Sequence, residues 1–296
     1  MLSILIPAYN HDLTELVKGL WLQASELEIP YEVLIVDDNS AAGFRSRNRA
    51  LTERNHVRYI QLEENVGRSR IRNMLAGKAR FENLLFIDAD ARIMAADYLS
   101  AYIGMLGVER VICGGTAYLP DLPGDAAYHL RWYYGRKREE RPARVRSKDP
   151  CRAFSSFQFL ATRNILEQVP FDKDLKAYGH EDTVFGLALE QQGITVLHID
   201  NTLVHDGLEP ADEFLDKTRQ GLQNLKFLAD RGYYSGLERG VRILKKYNAV
   251  RRLGLHPCLK WMYNKGSVWM HKNLKRRKPR LWIFDLYKLC YFAALH

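Results

Sequence analysis

Asp88-Ala89-Asp90 sets two carboxylates two residues apart, directly after the apolar run Leu84-Leu85-Phe86-Ile87. Carboxylates so spaced at a strand end reach one divalent cation, directly or through water. Hard oxygen ligands suit Mn2+ or Mg2+, ions that bridge diphosphates. Alone the tripeptide is a weak signal, because Asp is frequent in solvated turns. Asp37-Asp38-Asn39-Ser40 closes another apolar run, where Asp37 also reads as an N-cap or turn residue. A second acidic pair, Glu181-Asp182, opens a stretch of helical pattern, a place where acids complement the helix dipole. His205 stands in Val204-His205-Asp206-Gly207-Leu208-Glu209-Pro210. A lone histidine is more often structural than ligating, and His180 and His198 are present beside it.

Such groups need elements to hold them. Residues 2–6 are an apolar run of strand length ending at Pro7, and residues 13–27 have helical spacing with Leu13, Leu16, Val17, Leu20 and Ala24 on one face. Strands are expected over 32–36, 57–62 and 84–87, and a helix over 68–79. This alternation implies a parallel sheet with helices on both faces. The polar clusters fall at the C-terminal strand ends, the edge at which open α/β sheets bind ligands. Further strands are expected at 155–160 and 195–199, and a helix at 182–192. Residues 131–148 are crowded with charges of both signs, carry a Pro, and read largely as a mobile surface loop. After Asp212 the pattern is helical and basic to the end.

Taken in order, Pro7-Ala8-Tyr9-Asn10, Asp37-Asp38-Asn39-Ser40, the segment Asn65-Val66-Gly67-Arg68-Ser69-Arg70-Ile71-Arg72-Asn73 and the D-x-D resemble the family 2 glycosyltransferases and the GT-A fold they share. The resemblance covers roughly residues 1–235, and the ordered set is far more specific than any one member. It implies an α/β, Rossmann-like, mainly parallel sheet flanked by helices. Residues 1–115 would be its nucleotide-binding half, 116–235 its acceptor-binding half and 236–296 a basic helical extension. By the same resemblance Pro7, Ala8, Tyr9 and Asp38, with Asp37 nearby, hold a uridine-type base and ribose. Arg68 and Arg72 lie near the nucleotide and phosphates, although Arg72 equally fits a structural ion pair. Asp88 and Ala89 contact the donor, and Asp88 and Asp90 the metal.

Tyr178-Gly179-His180-Glu181-Asp182-Thr183-Val184-Phe185-Gly186 resembles the G-x-E-D element of that fold class. This implies that Asp182 takes the acceptor hydroxyl's proton and that Glu181 orients the acceptor or supports the loop. Members similar to this chain carry V-H-x-G-L-E where His205 stands, which implies a third metal ligand there. An imidazole beside Asp90 favours Mn2+ over Mg2+. The implied activity is metal-dependent, inverting transfer of a hexosyl or N-acetylhexosaminyl group from a nucleotide diphosphate sugar, with UDP-sugar favoured. The acceptor would be a glycan or polyprenyl-linked oligosaccharide in bacterial surface-polysaccharide assembly. Inversion rests on the resemblance, so a retaining transferase of the same fold stays open. A nucleotidyltransferase is the other alternative, and the lack of a glycine-rich phosphate loop after the first strand counts against it.

Bulk properties bound these readings without choosing among them. The 296 residues, 47% hydrophobic and 27% charged, make a globular chain with room for a sizeable core. Four scattered cysteines without a CxxC pair read as free thiols in a reducing compartment and argue against structural zinc. The opening reads as a strand rather than a signal peptide, and no stretch reaches the roughly 20 apolar residues of a spanning helix. The net charge of +9 is concentrated at one end: residues 237–296 hold fifteen Lys/Arg against Glu238 and Asp285, a net of +13, leaving −4 for the rest.

Such a tail suits nucleic acid, an anionic membrane or a phosphorylated substrate. The slightly acidic remainder, with no recognition module, argues against nucleic acid. Lys272, Lys275, Arg276, Arg277, Lys278 and Arg280 precede Leu281-Trp282-Ile283-Phe284 and a nearly unbroken apolar run to Leu295. That run is expected either to anchor at anionic headgroups or to pack on the catalytic domain. The expected location is cytoplasmic, peripheral on the inner face of the cell membrane. Arg131-Trp132-Tyr133-Tyr134 and the basic run 136–146 read as a solvated charged loop, with closure over a diphosphate as the alternative.

Overall fold

The structure, a computed structural model, describes residues 1–175, 179–232 and 236–296, with Arg239 described by its backbone alone. Tyr178 of the G-x-E-D stretch and the expected domain boundary at residue 235 lie outside the described residues.

The first part of the chain alternates as its pattern predicts: β1 (Leu2–Ala8), α1 (Thr14–Ser25), β2 (Tyr31–Asp37), α2 (Ala42–Ala50), β3 (Val57–Gln61), α3 (Arg68–Lys78) and β4 (Asn83–Ile87). Six of the seven residues of β1, and all seven of β2, are buried. Strands covered on both faces have no solvent side to mark with polar residues, so they read as continuous apolar runs. The helix α1 buries Leu16, Val17, Leu20 and Ala24, the face its spacing marks. Shorter elements follow: β5 (Ala91–Arg92), α4 (Ser100–Ile103), β6 (Val111–Cys113), β7 (Thr116–Ala117), α5 (His129–Tyr134), α6 (Ala143–Arg146), β8 (Gln158–Thr162), α7 (Arg163–Gln168), α8 (Glu181–Gln191), β9 (Val196–His198) and β10 (Leu203–His205). The chain then becomes helical, with α9 (Ala211–Arg231), α10 (Leu237–Gly240), α11 (Arg242–Arg252), α12 (His256–Leu274) and α13 (Leu281–Ala294).

One sheet of seven strands has the order β3-β2-β1-β4-β8-β6-β9, and a small sheet has the order β5-β10-β7. The strands β3, β2, β1 and β4 run parallel, while β8 is antiparallel to both β4 and β6. The chain goes from β1 outward on one side to β2 and β3, then returns to the other side of β1 as β4. The crevice outside the C-terminal ends of β1 and β4 is therefore the topological switch point of the sheet, where ligands enter such folds. Ile4, Ile6, Val33, Ile35, Leu85 and Ile87 form the core beneath it, together with the buried face of α1.

The chain divides into two compact units. The first comprises Met1–Ala117, Glu140–Lys176 and Ala188–Gly207, and contains both sheets; the second comprises Tyr118–Glu139, Ala177–Leu187 and Leu208–His296. In the second unit Leu130, Leu215, Met270, Leu274, Ile283 and Phe284 make the core. The apolar residues Ile283, Phe284, Tyr287, Cys290 and Phe292 of α13 are buried. Of the two places expected for this face, a membrane or the catalytic domain, it takes the second in part: it packs on α9, inside the 1–235 span, and on α11 and α12 of the same unit. Among the described residues no helix is long and apolar enough to cross a membrane. The four cysteines are free thiols, with Cys113 and Cys290 buried.

Residues 131–148 correct the sequence reading. They are not a solvated loop: α5, a π-helical turn over Gly135–Glu139 and α6 occupy most of them, and Arg131 and Arg146 are buried. Arg131 bonds the carboxylates of Glu139 and Glu209 at 2.9 and 3.0 Å. Arg146 donates to the carbonyls of Cys113, Gly114 and Ile199 and to Nδ1 of His198. A count of charges cannot tell a solvated guanidinium from a buried one. The difference lies in partners such as Glu209, 78 residues away along the chain.

Candidate active site

At the head of β1 the chain turns through Asn10 at φ 49, and at the head of β2 through Asn39 at φ 62. Asn tolerates this left-handed region because its short amide bonds the nearby backbone. The two turns are tied together, since Asn10 N donates to Ser40 Oγ (2.8 Å) and Ala41 N donates to Asn10 Oδ1 (2.7 Å). Tyr9 is exposed on the rim, whereas Pro7 and Ala8 lie inside the strand end. Both acids of the D-D-x-S element are buried and have backbone partners. Asp37 Oδ1 accepts from Ser40 N at 2.7 Å, and the Tyr59 hydroxyl lies against the same carboxylate, which with burial raises the phenol's pKa. Asp38 accepts from Val66 N at 2.7 Å and from Gly67 N at 3.0 Å, so it pins the loop that leads into α3. Burial raises the Asp38 carboxyl, and those two amides oppose the shift.

Gly67 (φ 85) then starts α3, which delivers two arginines to the D-x-D. Arg72 is buried and its Nη2 lies 2.5 Å from Asp88 Oδ1. The half-exposed Arg68 reaches Asp88 Oδ2 at 3.2 Å. Burial raises the Asp88 carboxyl while the two guanidiniums oppose it. Arg72 also spans the face of Phe171 and donates to the Arg68 carbonyl, so it holds the first turn of α3 and the end of β4 together. Ala89 and Asp90 follow, both half-buried.

Asp90 has a different neighbour. The strand β10 pairs antiparallel with β5 so that His205 stands opposite Ala91, and Asp206 N bonds the Asp90 carbonyl at 2.9 Å. This register turns the His205 imidazole onto the Asp90 carboxylate, with Nε2 3.4 Å from Oδ2. The ring is held by stacking on Phe157, 5.5 Å between centroids. Gly207 completes the arrangement: a Cβ there would sit 2.7 Å from Asp90 Oδ2. Arg92 and Asp206 form an outer ion pair at 3.7 Å. A cavity of about 580 Å³ opens beside Asp90, between α1 and the segment after it, with Asp12, Glu15, Gln23, Arg92 and Asp206 in its walls.

Glu181 and Asp182 belong to the second unit and occupy the first turn of α8. The chain reaches that helix through Gly179 at φ 94 and His180 at φ 71. Glycine is required at 179 because a Cβ would also press the Gly221 backbone at 3.0 Å. Asn224 donates to the Gly179 carbonyl at 2.6 Å, and Val184 N to the His180 carbonyl at 2.9 Å, so the helix start is fixed from α9. Burial pushes the His180 pKa down to about 4, leaving a neutral ring beside the two acids.

Among the described residues no cluster of three His, Cys, Asp or Glu side chains forms a complete protein cage for a metal. Asp90 and His205 offer one hard oxygen and one imidazole nitrogen, half-buried and facing one another. That donor set would hold a divalent ion only in part, leaving room for ligands from a bound diphosphate, and its nitrogen would favour Mn2+. Asp88, by contrast, carries two arginine contacts. The structure thus brings Pro7, Ala8, Asp37, Asp38, Arg68, Arg72, Asp88, Asp90 and His205 to the ends of neighbouring elements of the first unit, and sets Glu181 and Asp182 at a helix start in the second. Sequence reasoning missed the space that Gly207 leaves and the link from Glu209 to Arg131 and Lys217. Both residues sit in the quoted 204–210 stretch, which was the available signal.

Comparison with known proteins bears on the fold and the family. Among solved structures, a mannosyltransferase of Pyrobaculum calidifontis, in complex with GDP-Man and Mn2+, superposes with a TM-score of 0.59 at 17% identity, over 99% of this chain and 85% of that one. Glucosyl-3-phosphoglycerate synthase of Mycobacterium tuberculosis, in complex with Mg2+ and UDP, gives 0.51 at 14% identity, over 79% and 80%. At these identities the likeness is one of fold, the GT-A fold. A search of curated protein sequences gives no significant match. The family model for glycosyl transferase family 2 matches residues 3–168, which hold both Asp pairs and both arginines of the crevice. The chain belongs to glycosyl transferase family 2, and is a glycosyltransferase.

Proposed function

We propose that the protein moves a hexosyl or N-acetylhexosaminyl group, with inversion, from a nucleotide diphosphate sugar to a hydroxyl of a glycan or polyprenyl-linked oligosaccharide. A UDP-sugar is the favoured donor, and Mn2+ or Mg2+ the cofactor. The observation that carries this reading is the Asp90–His205 pair, two ligand types face to face at 3.4 Å beside the switch point of a family 2 sheet. The Pyrobaculum enzyme was solved with GDP-Man and Mn2+ and the mycobacterial one with UDP and Mg2+, which supports a nucleotide donor and a divalent ion.

In this reading Pro7, Ala8, Tyr9 and Asp38 hold the base and ribose, with Asp37 nearby, and the same two acids keep the β2 turn and the loop 65–67 in shape. Arg68 reaches toward the phosphates. Arg72 fixes Asp88, so that Asp88 and Ala89 would lie along the ribose and diphosphate and Asp88 would join Asp90 and His205 in holding the ion. Asp90 and His205 hold the ion, which when bound offsets the charge of the leaving diphosphate. Asp182 accepts the acceptor's proton as its oxygen bonds the anomeric carbon and the bond to the diphosphate breaks. Glu181 orients the acceptor. Residues 1–235 form the catalytic domain, in nucleotide-binding (1–115) and acceptor-binding (116–235) halves, and residues 236–296 an extension. The enzyme works in the cytoplasm, peripheral on the inner face of the membrane, in surface-polysaccharide assembly.

The test is a panel of nucleotide sugars, each assayed for thermal stabilisation and for slow release of the nucleoside diphosphate, with Mn2+ and with EDTA. One donor should give metal-dependent stabilisation and release. A panel in which no nucleotide sugar acts in Mn2+ or in Mg2+ would contradict the proposal.

A further inference from the structure

We propose that the outer face of α12 is the surface by which this protein docks on an anionic lipid bilayer. The inference deepens the membrane part of the reading above and rests on it, but names a different element from the one the hydropathy of the tail points to. The buried residues of α12 are Leu259, Met270, Asn273 and Leu274. Opposite them Trp261, Lys265, Val268, Trp269 and Lys272 are exposed, at spacings of four, three, one and three residues, which places them on one stripe of a helix. Trp261 is 62% exposed, Val268 66% and Trp269 54%, and Leu253 and Leu255 just before the helix are 72% and 52% exposed. An apolar stripe of this size on a folded protein marks a docking face.

Charge decides the occupant. Residues 239–284 contain fourteen Lys/Arg and no Asp or Glu at all. Among the described residues no carboxylate pairs with Lys265 or Lys272, which punctuate the stripe. A second copy of this face would bring like charges together, whereas an anionic bilayer complements them. Trp with Lys on one helical face, lying along the surface, is the pattern of interfacial helices. At 1.5 Å per residue the nineteen residues of α12 run about 28 Å, long enough for a flat footprint. The stripe also borders a cleft of about 500 Å³ through Val268 and Lys272, where Arg219 is paired with Asp216 and His271 and Lys275 with Asp212.

The full-length protein should cosediment with vesicles of phosphatidylcholine mixed equally with phosphatidylglycerol, at low salt, and not with phosphatidylcholine alone. Lys265→Glu with Lys272→Glu removes two attractions and adds two repulsions. At about fivefold per basic residue it should weaken partition by at least 25-fold. Trp261→Ser with Trp269→Ser should weaken it at least tenfold. Because all four side chains are exposed, both variants should keep the wild-type melting temperature and the wild-type response to UDP and Mn2+. That response tests the catalytic reading separately from the vesicles. Wild-type protein that stays in the supernatant at low salt would overturn the proposal. So would variants that bind vesicles like wild type, or a wild-type dimer that the Trp variant converts to monomer, since a second copy would then be the occupant.

Discussion

Gly207→Ala perturbs the proposed metal site without removing either of its ligands. A Cβ at 207 would stand 2.7 Å from both Cβ and Oδ2 of Asp90, and ordinary contact starts at 3.4 Å. The carboxylate or the Gly207 backbone must therefore move by about 0.7 Å to reach a normal separation. Metal–ligand distances hold to about 0.2 Å, so a shift of this size takes Asp90 out of register with His205. Loss of a supporting contact around a metal ligand lowers affinity roughly 10–100-fold. Both strands of the small sheet that flank the site are two or three residues long, and the methyl lies at their edge. Because the contact includes Asp90 Cβ, which cannot swing aside, global stability should fall by about 1–3 kcal/mol. Calorimetric titration of UDP in Mn2+ should show the 10–100-fold loss, while the titration in EDTA stays near wild type and the protein remains folded at the assay temperature. Wild-type affinity in Mn2+ would refute the reasoning. An equal loss in both titrations would place Gly207 on the nucleotide rather than on the ion.

Other perturbations separate the remaining roles. Asp182→Asn should retain donor binding and lose transfer about 100- to 10,000-fold, because the amide keeps the shape but cannot accept a proton. Single-turnover kinetics beside a binding titration checks this, and normal transfer would remove Asp182 from the mechanism. Arg72→Met should destabilise the fold by about 3 kcal/mol in urea, since it leaves the Asp88 carboxylate in a site built for a guanidinium; Arg68 keeps the loss at the low end. His198 accepts from Arg146 at Nδ1, and its other nitrogen faces the Pro150 carbonyl, so the folded ring is neutral with its hydrogen on Nε2. Burial, and then Arg146, lower its pKa below the ordinary 6.5. As pH falls through 6.5 the unfolded chain takes up a proton the native chain does not, so stability drops on the acid side. His198→Gln should flatten that part of the melting-temperature profile between about pH 7 and 5; an unchanged profile would assign the drop to other groups.

The elements that the sequence revealed are those with enough length to express a period. β1, β2 and α1 bury long runs, and their boundaries moved by one or two residues. β5, β7 and β10 are too short for any pattern, yet β10 is what turns His205 onto Asp90. The motif therefore named the histidine without showing how it is aimed. The charge density of 131–148 points to a loop, whereas Arg131 and Arg146 are buried by carboxylates and carbonyls from elsewhere in the chain. Residues 281–295 are apolar by sequence, but apolarity does not say what covers them. Most of them are covered by neighbouring helices, with Trp282 left exposed, and a longer exposed aromatic stripe lies on α12.

The central claim is that Asp90 and His205 hold a divalent ion that in turn holds a nucleotide diphosphate. Its most direct test is calorimetric titration of UDP into wild-type protein and into Asp90→Ala, each with Mn2+ and with EDTA. Wild type should bind in Mn2+ and weaken at least tenfold in EDTA, while Asp90→Ala, folded to the same melting temperature, should bind alike and weakly in both. Equal metal dependence in the two proteins would contradict the claim.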